Sequence, residues 1–224
     1  MAEITVFPDP SSGATTVDGI LNSISNATYA TVRDAAESSG AFMTDTNTNC
    51  ERQYLSGGNY TVWRSIYTLD TSTLGSGATI SAATWSLAGN GNAVEDADTD
   101  SINVYSSAPA DNNSLAIGDY DSLGTTVFAT AITHAAWVST DGTYNVFTFN
   151  ATGRDNVSKT SITKIGMRSV QDVSATAPTG LNSVKAYFAD AAGTTKDPKL
   201  IVTYTAAAPT AARRAANLMM MKVG

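Results

Sequence analysis

The chain has 224 residues, a length that one β-sandwich or barrel can use as a single domain. Its net charge of −7 and pI near 4.5 exclude a phosphate-binding surface for nucleic acid, which needs clustered Lys and Arg. The single cysteine excludes an internal disulfide, and no apolar run reaches the ~18 residues of a membrane-crossing helix.

Hydrophobic residues make up 42% of the chain and charged ones 15%, so the chain can bury a core while its polarity rests on Ser, Thr and Asn. This composition suits short strands joined by many turns. The segment Met1 to Pro8 lacks the basic start, apolar stretch and cleavage pattern of a secretory leader, and the expectation is folding in the cytoplasm.

Period-two alternation recurs along the chain, and helical periodicity is rare. A first strand, Ile4 to Phe7, stops at Pro8-Asp9-Pro10, because proline gives no ladder donor. Thr31 to Ser38 reads as a short helical segment. Cys50, in a Thr/Asn-rich stretch, reads either as a small semi-buried side chain or as an exposed thiol. Tyr54-Leu55 runs into the turn Ser56-Gly57-Gly58-Asn59. Tyr60 to Leu69 then carries bulky residues on both faces, which predicts a central strand.

Leu74-Gly75-Ser76-Gly77 leads into Ile80 to Leu87, where Ala83, Trp85 and Leu87 share a face. Further alternation covers Ile102 to Tyr105, Val146 to Phe149, Val184 to Phe188 and Leu200 to Tyr204. The loops Asn90 to Asp100 and Ser106 to Leu123 are long, as where a sandwich displays surface. The prediction is an all-β antiparallel sandwich or jelly roll of about eight to ten strands over residues 1–205, with a tail at 206–224.

In that tail Thr210 can cap a helix from Ala211 to Val223, with Arg213 and Arg214 ahead of Leu218, Met219, Met220 and Met221. An apolar Met cluster left exposed is an aggregation hazard, so these residues are expected to dock on a partner and anchor the chain.

Trp63-Arg64-Ser65-Ile66-Tyr67-Thr68-Leu69-Asp70, a short turn, and Ile80-Ser81-Ala82-Ala83-Thr84-Trp85-Ser86-Leu87 form one pattern. Asp197-Pro198-Lys199-Leu200-Ile201-Val202-Thr203-Tyr204-Thr205 closes the domain in another. Together they resemble the DNRLRE-type jelly-roll domains over residues 63–205. Locally, Asp70 can cap the turn that follows, and Pro198 stands where no ladder donor is needed. The resemblance implies a fold shared with carbohydrate-binding modules and with free-standing structural proteins of bacteriophages.

His134 is the only histidine, so Ser-His-Asp, Cys-His and His-rich zinc chemistry lack material, and no catalytic residue, cofactor or metal is expected. Glu95-Asp96-Ala97-Asp98-Thr99-Asp100 is the densest acidic run. Ser101 stands where a calcium loop of the EF-hand type needs Gly, so the run reads as a solvated loop. The Asn-x-Ser/Thr triplets, such as Asn150-Ala151-Thr152, read as accidents of composition. Trp63 and Tyr67 are the candidates for an aromatic sugar-stacking platform, against the alternative that strand aromatics are core.

The expected function is a non-enzymatic virion component, a surface decoration, cement or head-fibre-type protein at the virion surface. Its expected partners are other capsid subunits and copies of itself, with a glycan as a further ligand and neither nucleic acid nor membrane among them. The alternative is a carbohydrate-binding module, free-standing or part of a larger glycan-active protein.

Overall fold

The computed structural model describes residues 1–10, 15–25 and 27–207. The tail helix and anchor, with Arg213, Arg214, Leu218, Met219, Met220 and Met221, lie outside the described residues. In chain order the strands are β1 (Ala2–Val6), β2 (Asp18–Ser25), β3 (Gly40–Phe42), β4 (Asn47–Ser56), β5 (Asn59–Asp70), β6 (Thr79–Ala88), β7 (Glu95–Asp96), β8 (Ser101–Ser107), β9 (Leu123–Val127), β10 (Ile132–Thr133), β11 (Tyr144–Thr148), β12 (Ile162–Ser169), β13 (Asn182–Tyr187) and β14 (Lys199–Thr205). The helices α1 (Tyr29–Arg33), α2 (Ala151–Asn156) and α3 (Val170–Val173) are each one or two turns long.

Fourteen strands among the described residues exceed the expected eight to ten. Four of the fourteen, β3, β7, β9 and β10, are pieces of two to five residues that alternation cannot reveal. The expected helix at 31–38 also shifts. Its cap is Thr28, whose hydroxyl accepts from Thr31 N at 3.4 Å, and the helix ends at Arg33.

The strands form two antiparallel sheets, one of four strands in the order β1-β14-β6-β11 and one of ten. The turn at Gly57-Gly58 joins β4 to β5 with two residues, both at positive φ (56° and 84°). Glycine takes both conformations without strain, and the resulting turn matches the twist of its strands. β5 sits inside the larger sheet with β12, β4 and β2 as neighbours, as its two apolar faces predict.

Between the sheets lies the main core. Trp85, Leu87, Phe147, Leu200 and Val202 come from the small sheet, and Tyr67, Leu69, Val104, Ile165, Met167 and Val184 from the large one. A second apolar cluster joins Leu21, Val62 and Ile66 of the large sheet to Tyr29 and Val32 of α1, and to Leu115, Tyr120 and Leu123. The long loop 106–123 is therefore partly a cover for the core: its 3₁₀ turn Ile117–Ser122 buries Tyr120 completely.

The longest path through the large sheet is β10-β8-β12-β5-β4-β13-β7. β12 and β4 pair with the same edge of β5, along residues 65–70 and 59–63, while β2 runs along the opposite edge. The sheet therefore forks at β5 into the branches β12-β8-β10 and β4-β13-β7, and the 3₁₀ turn His134–Ala136, which follows β10, contacts both β7 and β13. The two branches meet there at a seam.

Candidate functional site

The predicted stacking platform is not an open surface. Tyr67 is fully buried, its ring 4.8 Å from Trp85 and 5.7 Å from Phe188, so no sugar can reach it. Trp63 is half-buried against the same core, under the Arg52 guanidinium at 5.6 Å from its ring centroid. The parity that places the two rings on one face of β5 is right, but that face points at the other sheet.

Two polar clusters that no local pattern announces occupy the interior. The first centres on Asp172 of α3, which is 1% exposed. Arg64 of β5 donates to both its oxygens, Nε to Oδ2 at 2.8 Å and Nη2 to Oδ1 at 2.8 Å. Arg168 of β12 does the same at 2.8 and 3.0 Å. The remaining donors reach backbone carbonyls: Arg64 those of Tyr120 and Arg33, Arg168 those of Leu123 and Gly124. Burial alone would raise the carboxyl pKa, but the two guanidinium groups outweigh it and hold the group below the ordinary 3.8.

The second cluster lies at the seam. His134, Glu51 of β4 and Asp100, just before β8, are buried, and Asp96 of β7 stands beside them. His134 Nε2 lies 3.1 Å from Glu51 Oε2, and Nδ1 lies 3.8 Å from Asp96 Oδ1. Asp100 is held from several sides. Ser101 N donates to Oδ1 at 2.7 Å, while Gln53 Nε2 at 3.1 Å and the Ser169 hydroxyl donate to Oδ2. Ser169 also caps α3 by accepting from Gln171 N and Asp172 N, which ties the two clusters together. Burial pushes the Glu51 carboxyl up to about 7 against the pull of His134. Burial also disfavours the imidazolium, but Glu51, Asp100 and Asp96 outweigh it and raise the His134 pKa.

The acidic run 95–100 is thus not uniformly solvated. Asp96 and Asp100 belong to the seam, and Asp98 accepts from Thr179 N at 2.9 Å, from the Thr179 hydroxyl and from Asn182 Nδ2 at 2.6 Å. Sequence reasoning missed Glu51 and Asp172 because Glu51 meets His134, and Asp172 meets Arg64, across a long stretch of chain, although Arg168 lies only four residues before Asp172. Burial also settles Cys50, which is a core thiol.

A cavity of about 610 Å³ opens beside the end of β1, lined among others by Phe7, Asp9, Asp70, Asp190 and Asp197. Behind it Asp18 is fully buried, its Oδ2 accepting from Ala189 N at 2.8 Å. Burial, together with Asp190 and Asp197, raises the Asp18 pKa against the pull of that backbone bond. Burial raises Asp197 to about 6. No family model matches the chain, and no curated protein matches it at a significant level.

Two outcomes follow from these groups. Asp172→Ala leaves two buried guanidinium groups without a counter-charge and should cost about 3–5 kcal/mol of stability, read from the urea midpoint; a loss under about 1 kcal/mol would contradict the clamp. Asp197 holds its proton more tightly in the folded state, so its share of stability is complete below the ordinary pKa of 3.8 and is lost as pH rises through about 6. Melting temperatures of Asp197→Asn between about pH 4 and pH 7 should therefore fall less than those of the parent, and parallel curves would refute the assignment.

Proposed function

We propose that this chain is a non-catalytic structural component of a bacteriophage particle, a decoration, cement or head-fibre-type subunit at the particle surface. The observation that carries the reading is the outer face of the small sheet. Thr5 of β1, Thr203 and Ile201 of β14, Thr84 and Ala82 of β6, and Val146 and Thr148 of β11 line it. Val146 is 51% exposed. A face of short β-branched side chains, flanked by Glu3 and Lys199, suits packing against a neighbouring subunit with little charge to desolvate.

The similarity of residues 63–87 and 197–205 to DNRLRE-type jelly rolls supports the same reading. So does the use of Arg64, Arg168 and Asp172 to hold elements of the fold together. Copies of the chain on a symmetric particle would meet through closed, repeated contacts.

Mass spectrometry of purified particles should find the chain in stoichiometric amount. Val146→Asp should lower its occupancy while leaving its melting temperature unchanged. Particles without the chain would overturn the proposal.

The cavity favours one second reading, a carbohydrate-binding module. Its carboxylates offer acceptors for sugar hydroxyls, and Phe7, 36% exposed, offers a ring at its rim. Binding on a glycan array that Phe7→Ala weakens at least about tenfold, a change of ~1.4 kcal/mol, would establish that reading. A silent array would remove it.

A further inference from the structure

We propose that Glu51, Asp100 and His134 form a binding site for a single divalent cation of the zinc class, which fastens the seam between the two branches of the large sheet. Among the described residues these three are a group whose donor atoms, one from each side chain, all lie within 4.8 Å of one another, and all three are buried. They come from three separate places in the fold: β4, the residue before β8, and the turn after β10.

The second observation concerns hydrogen bonding. Both carboxylate oxygens of Glu51 and both ring nitrogens of His134 are buried without a hydrogen-bond partner. Yet His134 Nε2 and Glu51 Oε2 are only 3.1 Å apart. The pair is close but not aligned for an N–H···O bond. Two ligand atoms each about 2.1 Å from one ion, at a tetrahedral angle, stand roughly 3.4 Å apart. A spacing near that value without hydrogen-bond alignment is what a shared ion requires.

Charge points the same way. Glu51, Asp96 and Asp100 face one imidazole, while Arg64 and Arg168 are committed to Asp172. A dication offsets two carboxylates that burial would otherwise leave uncompensated. The surrounding bonds fit as well. Gln53, Ser169 and the backbone N of Ser101 hold Asp100 in place, and ligation through Nε2 leaves Nδ1 facing Asp96, the outer carboxylate that typically orients a metal-bound histidine. An imidazole nitrogen with carboxylate oxygens suits zinc, whereas calcium prefers oxygen alone.

Because His134 is the only histidine, its imidazole can be followed without ambiguity in the full chain. The chain is refolded from denaturant with chelator, with Zn²⁺ or with Ca²⁺, and examined by elemental analysis, imidazole ¹⁵N resonances and melting. Zinc is expected to be retained at one ion per chain, to shift the imidazole nitrogens, and to raise the melting temperature by roughly 5–10 °C at about a hundredfold excess over Kd. Glu51→Gln should abolish the zinc-dependent rise, and Glu95→Gln, on the exposed edge of β7, should keep it. An imidazole spectrum unchanged by Zn²⁺ overturns the proposal in the parent chain, whether or not either variant folds. The same shift produced by Ca²⁺ and not by Zn²⁺ overturns its metal class.

Discussion

Asp172 carries a buried negative charge, and taking an ion of this size out of water costs several kcal/mol unless partners surround it. Arg64 and Arg168 surround it, and what they join explains much of the architecture. The two arginines stand on neighbouring strands of the large sheet, β5 and β12, while the carboxylate stands on α3. Their other donors fix the carbonyls of Arg33 at the end of α1, Tyr120 in the 3₁₀ turn, and Leu123 and Gly124 at the start of β9. Arg64 also lies 4.1 Å from the centroid of the Tyr120 ring. One carboxylate thereby sets the position of the cover over the second apolar cluster.

The seam obeys a related constraint. A strand at the end of a sheet presents unpaired backbone donors and acceptors, so where two branches of one sheet meet, other groups must hold the join. Here those groups are polar and titratable. Ser169 connects them to the clamp, since it donates to Asp100 and caps the helix that carries Asp172. The interior therefore contains one continuous polar network, running from Tyr29 and Gln53 through Asp100 and Ser169 to Asp172, within an otherwise apolar fold.

This division of labour bears on function. The Arg64, Arg168 and Asp172 groups are drawn inward to stabilise the fold, and the outer face of the small sheet is lined mainly by threonine, alanine, isoleucine and valine, with Glu3 and Lys199 at its flanks. A surface of that kind favours lateral packing over steering of charged ligands, which is what the proposed role would use. The acidic cavity near Phe7 stands apart, at the edge where β1 ends.

The sequence by itself determined the all-β class, the turn at Ser56-Gly57-Gly58-Asn59, the central position of β5 and the shared face of Ala83, Trp85 and Leu87. Each depends on local chemistry: positive φ, strand periodicity, or the residues adjoining a turn. Asp70, accepting from Ser72 N at 2.9 Å, is a local cap of the same kind. The strands β2 and β12 escaped because they bury polar residues such as Asp18, Arg168 and Ser169, which breaks the alternation that reveals a strand. Only the tertiary structure decided which face of β5 meets the other sheet, and so turned Tyr67 from a candidate platform into core. It alone brought His134 to Glu51 and Arg64 to Asp172, because burial and charge pairing arise where distant segments meet, and no short stretch of sequence encodes that meeting.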